Sequence, residues 1–184
     1  MTKHLQLHSF TYEADRVALE LVTPVGIGLP VSVNSFAAVP DINNLKAIWD
    51  TGATGCAITI DVAQKIKAPV INQVLVGGVH GKERCNQYLI SLFLPNHVYI
   101  PGIPVTELSQ EAGCDLLIGM DVISLGDFST STLGGKTSFT FRIPSYQKQD
   151  FSRYMPKDNS VCVCGSGNMF KNCCKKQIGT RKSV

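Results

Sequence analysis

The chain has 184 residues, which at ~100–200 residues per domain allows one full domain and a small appendage. Hydrophobic residues make up 44% and charged residues 17%, which excludes disorder throughout. The net charge of +3 is too small to argue for nucleic acid, but it divides unevenly: residues 1–147 carry nine Lys/Arg and twelve Asp/Glu, residues 148–184 eight and two. The chain therefore reads as an ordinary body with a basic tail.

In chain order, the opening MTKHLQLHSFTYEAD lacks the basic-then-apolar order of an export signal. The longest apolar stretch, Val17 to Val33, is broken by Glu20, Pro24 and Pro30, short of the ~18–20 residues a spanning helix needs. From about Thr11 to Pro144 short runs rich in β-branched and aromatic residues predict strands: VALELVT, AIWDT, INQVLVGG, QYLISLFLP, VYIPGIPVTEL and KTSFTFRI. Turn residues separate them in PVGIGLP, PDINN, GGVHGK, LPNH and LGGK. Two stretches predict helix. One is Ile60–Lys67, with Ile60, Val62, Ala63 and Ile66 on one face and Pro69 setting its end; the other begins near Gly119 or Met120. Crossover helices between strands are missing, so the fold class is mainly β, a closed or sandwich-like domain over residues 11–146.

The polar, basic stretch 147–160 reads as a linker, 161–176 as a compact cysteine module and 177–184 as a basic tail. Seven cysteines are distributed unevenly, with Cys56, Cys85 and Cys114 scattered and four crowded into thirteen residues. An odd total, no export signal and a tight cluster favour reduced thiols, one metal site and a cytoplasmic setting.

AIWDTGAT places Asp50 after an apolar strand and before a glycine-containing turn. A strand end with Asp and Gly as turn formers would explain the tripeptide alone. It is followed, however, by a glycine-rich hairpin, VLVGGVHGKERC, and then by CDLLIGMDVI. This set, spanning roughly Ala18 to Ile143, resembles the retropepsin-like aspartic proteases. The resemblance implies a half-barrel in which Asp50, Thr51 and Gly52 form the catalytic loop. It also implies that Ala53, Thr54, Gly77, Gly78, Val79 and Ile118 line the substrate cleft. Val76–Lys82 would be the flap, with His80 at its tip, and Thr51 would hydrogen-bond to the partner loop. Leu117-Ile118-Gly119-Met120-Asp121 matches the family's later segment, which makes Asp121 structural rather than a second catalytic acid and Gly119 a close-packing position. Gly55 and Cys56 depart from the family's small polar residues at this point; Cys56 reads as a buried, inert thiol.

Two adjacent carboxylates share a proton; the ionised one activates a water and the protonated one polarises the peptide carbonyl. Gly52 admits the loop backbone close to the carboxylate. Only one Asp-Thr/Ser-Gly is present in the sequence, so an active enzyme requires a homodimer pairing two copies of Asp50. No cofactor is needed for that chemistry. The substrate would be an extended apolar peptide, and self-processing near Phe151–Met155 is one form it could take.

VCVCGSGNMFKNCCK offers Cys162, Cys164, Cys173 and Cys174 as a four-thiolate set for structural zinc, with Gly165 and Gly167 for the turn and Phe170 as the single core residue. Lys171, Lys175 and Lys176 offset the negative charge of such a centre. His4 and His8, at i and i+4, form no convincing metal pair, and His97 stands apart. Over Val161 to Lys175 the segment resembles the SEC-C motif, a zinc module found on the bacterial secretion ATPase and on many bacterial proteins. The resemblance implies docking to proteins, with ribosome-associated or anionic surfaces as candidate partners. The tail lacks aromatic interleaving, so sequence-specific nucleic-acid binding is unsupported. The competing function is a non-catalytic dimeric adaptor that uses the protease fold as scaffold and the zinc module for binding.

Overall fold

The computed structural model describes residues 8–30, 40–78, 81–108, 113–150 and 155–178. It divides into two compact units, 1–146 and 147–184.

Among the described residues, the first unit has ten strands. β1 (His8–Glu13), β9 (Asp127–Ser131) and β10 (Ser138–Ile143) form an antiparallel three-stranded sheet with β10 in the middle. The other seven are β2 (Leu21–Gly28), β3 (Ile42–Trp49), β4 (Ala57–Thr59), β5 (Val70–Gly78), β6 (Gly81–Leu94), β7 (Val98–Leu108) and β8 (Leu116–Ile118), in the order β2-β3-β8-β4-β7-β6-β5. β2 also pairs with β6 through Gly26↔Phe93, Ile27↔Leu92 and Gly28↔Ser91, so six strands close into a barrel. The edge of β6 that β2 uses at 91–93 is used by β5 at 82–88, and the β5–β6 hairpin therefore runs past the barrel.

Ile27, Ile58, Ile90, Leu92, Val105, Leu116 and Ile118, all essentially inaccessible, fill the barrel. Burying such side chains stabilises by about 1.5–3 kcal/mol each. Trp49 bridges this core to the smaller sheet: its ring lies 5.0 Å from Phe139 and from Phe141, and its Nε1–H donates to Thr23 Oγ1 at 2.9 Å. The aromatic set continues through Phe10 and Phe128.

Several local expectations are corrected. The segment read as the turn PVGIGLP is largely strand: β2 carries Pro24 opposite Lys46 and bulges between Val25 and Ile27. β3 begins at Ile42 inside the expected PDINN turn, with Asn44 at φ 59°. β1 and β9 were not expected at all. Helix α1 is Ile60–Lys65, shorter than Ile60–Lys67. Val62, Ala63 and Ile66 are buried, but Ile60, the first helical residue leaving β4, remains 41% exposed. Pro69 does not end the helix. Lys67 adopts φ 52°, and Lys67 N–H and Ala68 N–H close onto the Gln64 and Ala63 carbonyls in a left-handed C-terminal turn. Helix α2 is Met120–Ile123.

Candidate functional site

β3 and β8 run parallel, with Trp49 opposite Ile118. Asp50, the next residue, donates its N–H to the Ile118 carbonyl at 2.9 Å, so the barrel floor fixes where the loop begins. The loop then turns back on its own acid: Gly52 N–H donates to Asp50 Oδ1 at 2.8 Å, and a Cβ at position 52 would stand 3.1 Å from that oxygen. Ala53 N–H donates to the Asp50 carbonyl at 3.3 Å, and the Ala53 carbonyl accepts Met120 N–H at 2.9 Å. Asp50 is half-buried beside the exposed Thr51, Gly52 and Thr54, so its carboxylate reaches the surface from a rigid base.

That base depends on Gly119. A Cβ there would lie 2.5 Å from the Gly55 carbonyl oxygen and 2.9 Å from its nitrogen, closer than side-chain carbons approach backbone. Asp121 secures the same junction. Its Oδ2 accepts Cys56 N–H at 3.0 Å, and its Oδ1 accepts the Cys56 thiol at 3.0 Å and Val122 N–H at 2.9 Å. Gly119 N–H in turn donates to Cys56 Sγ at 3.3 Å. Burial, and then the hydrogen bond to Asp121, push the Cys56 thiol far above its ordinary range. Asp121 is thus committed to the loop's support.

In the second unit a bridge between Val161 and Met169, with Cys162 N–H donating to the Asn168 carbonyl at 2.7 Å, folds the chain into a knuckle. Gly165 and Gly167 take φ 78° and 73° in the turn, a region that side chains rarely occupy. A short 3-10 turn at Phe170–Asn172 leads into α3 (Cys174–Ile178), and Phe170 is buried beneath it. The sulfurs of Cys162, Cys164, Cys173 and Cys174 all lie within 4.8 Å of one another, with Cys164 3.4 Å from Cys162 and 3.5 Å from Cys173. Tetrahedral zinc, with Zn–S near 2.3 Å, needs sulfurs about 3.8 Å apart. The donor set fits such an ion. The thiols also divide their protons unequally: hydrogen bonds led by the Ser166 hydroxyl bring Cys164 down to about 6, while bonds to Cys162 and Cys164 push Cys174 up to about 12. A cation would let all four ionise together.

No protein-family model matches the chain, and no curated protein does. Among solved structures, a retropepsin-like aspartic protease from Rickettsia conorii superposes with a TM-score of 0.50 at 13% identity, over 77% of this chain and 99% of that one. The body has the retropepsin-like fold. The chain is also similar to the retroviral protease-like domain of Ddi1 from Leishmania major (TM-score 0.41, 19% identity, 61% and 82% covered). A further similar structure is the EIAV protease complexed with the inhibitor HBY-793 (0.39, 18%, 56% and 85%).

Within the retropepsin-like body, Asp50, Thr51, Gly52, Ala53 and Thr54 form one loop. Gly77 is exposed near the end of the β5–β6 hairpin, where Gly78 pairs with Gly81; Val79 and His80, like His4, lie outside the described residues. Ile118 is fully buried in the single chain, and its backbone carbonyl accepts the Asp50 N–H. Two features escaped the sequence reading. One is the direct bond between Cys56 and Asp121, residues considered singly. The other is Glu107, on β7, which gathers three hydrogen bonds from β6. Its sequence context, VTEL in a strand, carries no signal of this. Among the described residues, no helix is long and apolar enough to cross a membrane.

Proposed function

We propose that the body is an aspartic endopeptidase that works as a homodimer, with Asp50 of each copy meeting at the two-fold axis. The observation that carries this reading is the Asp50 loop: an accessible carboxylate fixed by Gly52 N–H and a β3–β8 floor, within a retropepsin-like fold. One such carboxylate per chain cannot divide acid and base roles; two held together share a proton and can. The ionised member takes a proton from the water between them as that water attacks the peptide carbonyl. The protonated member donates to the carbonyl oxygen, and the tetrahedral adduct then breaks the C–N bond with proton return to the amine. Thr51 would brace the paired loops. Ala53, Thr54, Gly77, Gly78 and Val79 would contact an extended peptide.

Residues 147–160 serve as a linker in this reading, and 161–176 as a zinc-bearing docking module of the SEC-C kind, followed by the basic tail. Its zinc is structural: four thiolates leave no position for a reacting water. The setting is a bacterial cytoplasm.

The test compares the natural chain with Asp50→Asn on unfolded proteins and a peptide library, from acidic to neutral pH. The expected result is cleavage by the natural chain and none by the variant, with both sedimenting as dimers. Cleavage retained in Asp50→Asn would reject the aspartic mechanism. A dimer with no cleavage from either protein would favour the adaptor.

A further inference from the structure

β6 is fourteen residues long, but its two halves have different neighbours. Residues 87–94 pair with β7, the pairing that builds the barrel. Residues 82–86 pair only with β5. The changeover falls at Asn86, and there β7 offers a side chain where the backbone ladder stops. Glu107 Oε2 accepts the Asn86 backbone N–H at 3.1 Å, and Oε1 accepts Asn86 Nδ2–H at 2.7 Å and the Tyr88 hydroxyl at 2.6 Å. Asn86 Oδ1 accepts Gln73 Nε2–H at 3.0 Å, which extends the network to β5. Glu107 on β7 thus holds two residues of β6, and Asn86 carries the network on to β5 at the root of the hairpin.

We propose that Glu107 is a latch that fixes the root of the β5–β6 hairpin and so sets how freely that hairpin swings from the barrel. It is a positioning residue, acting through Asn86 and Tyr88. The network is local to the root, partly buried and charge-assisted, so its bonds are of the stronger kind. Burial alone would raise the Glu107 carboxyl, yet the bonds from Tyr88 and Asn86 outweigh it and hold the carboxyl below its ordinary value. The charged acceptor is what these donors require. Within the protease reading, on which this consequence rests, the hairpin closes over the peptide, and a looser root weakens capture more than chemistry.

The experiment is residue-resolved hydrogen exchange on the full chain, comparing Glu107→Gln and Tyr88→Phe with the natural protein. Gln keeps the size of Glu but turns an amide donor toward donors. Loss of a bond to a charged acceptor should speed exchange of the Asn86 amide and the β5–β6 ladder by about tenfold or more, with residues 87–94 against β7 unchanged. Tyr88→Phe, which removes one donor, should show a smaller increase at the same amides. Unchanged hairpin exchange, or equal acceleration in hairpin and barrel, would overturn the latch. With a cleaved peptide, Glu107→Gln should raise KM several-fold while kcat moves less; an unchanged KM would overturn the capture role. Exchange is read without substrate, so a chain that cleaves nothing refutes the protease reading through the Asp50 comparison and still decides the latch.

Discussion

The loop that carries Asp50 is held from below by two residues of opposite kind: a glycine that must have no side chain and an acid whose side chain is fully engaged. Gly119→Ala would drive a methyl into the Gly55 backbone, and overpacking of this sort costs about 1–3 kcal/mol. The denaturation midpoint should fall accordingly, and an unchanged midpoint would show that the two backbones are free to separate. Cys56 is 3% exposed and its thiol is stabilised against ionisation, first by burial and then by Asp121. Alkylation under native conditions should therefore modify the partly exposed Cys85 well before Cys56, as read by peptide mass spectrometry. Equal labelling of the two would mean that the loop opens readily. The DTGA motif and the glycine before Met120 were legible in the sequence because each stands beside its own apolar strand. The Cys56–Asp121 bond was not, since it joins positions 65 apart and only the folded strands bring them together.

The elements show the same division. VYIPGIPVTEL gives β7 directly, because its buried Val98, Ile100, Ile103 and Val105 are interleaved with exposed residues in the manner of a half-buried strand. β2 was misread because Pro24, Gly26 and Gly28 resemble a turn when seen locally, yet the barrel accepts them where β2 bulges and changes partners. β1 and β9 are short and polar, and they exist as strands because β10 pairs with both. The aromatic cluster between the sheets gives this a measurable weight: Phe139→Ala should cost about 3–5 kcal/mol. The fluorescence of Trp49, the sole tryptophan and 5.0 Å from that ring, would report the unfolding. A loss under 1 kcal/mol would mean that the smaller sheet is not coupled to the barrel. At the hairpin root, a carboxyl held below its ordinary value contributes above the ordinary carboxylate range, and that contribution fades as pH falls through the folded value. Facing it are Asn86, the Tyr88 hydroxyl, whose own ionisation is pushed up by burial and by Glu107, and Cys85, which is raised by burial and then by Glu83 and Glu107. Hairpin exchange, corrected for its intrinsic rate, should accelerate toward acid pH; a flat profile would contradict the assignment.

At the scale of the whole molecule the two units differ in how they are held together. The body has a barrel core, whereas among the described residues of the second unit Cys162 and Phe170 are the buried ones, and a metal held by the four clustered cysteines would supply a cross-link. Metal analysis should give one zinc per chain, lost when Cys162 and Cys164 become Ser, with Phe170 then exposed to solvent. Unchanged metal content would reject the site. The parallel pairing of β3 with β8 has a further consequence, in time rather than in space. Trp49 and Ile118 are joined across almost seventy residues, and contacts of such separation form late because a long loop must close first. During synthesis the Asp50 loop leaves the ribosome long before β8 and α2 exist to support it. A nascent chain therefore carries the acid without its floor, and its carboxylate becomes properly placed only after residue 121 has been added and the barrel has closed.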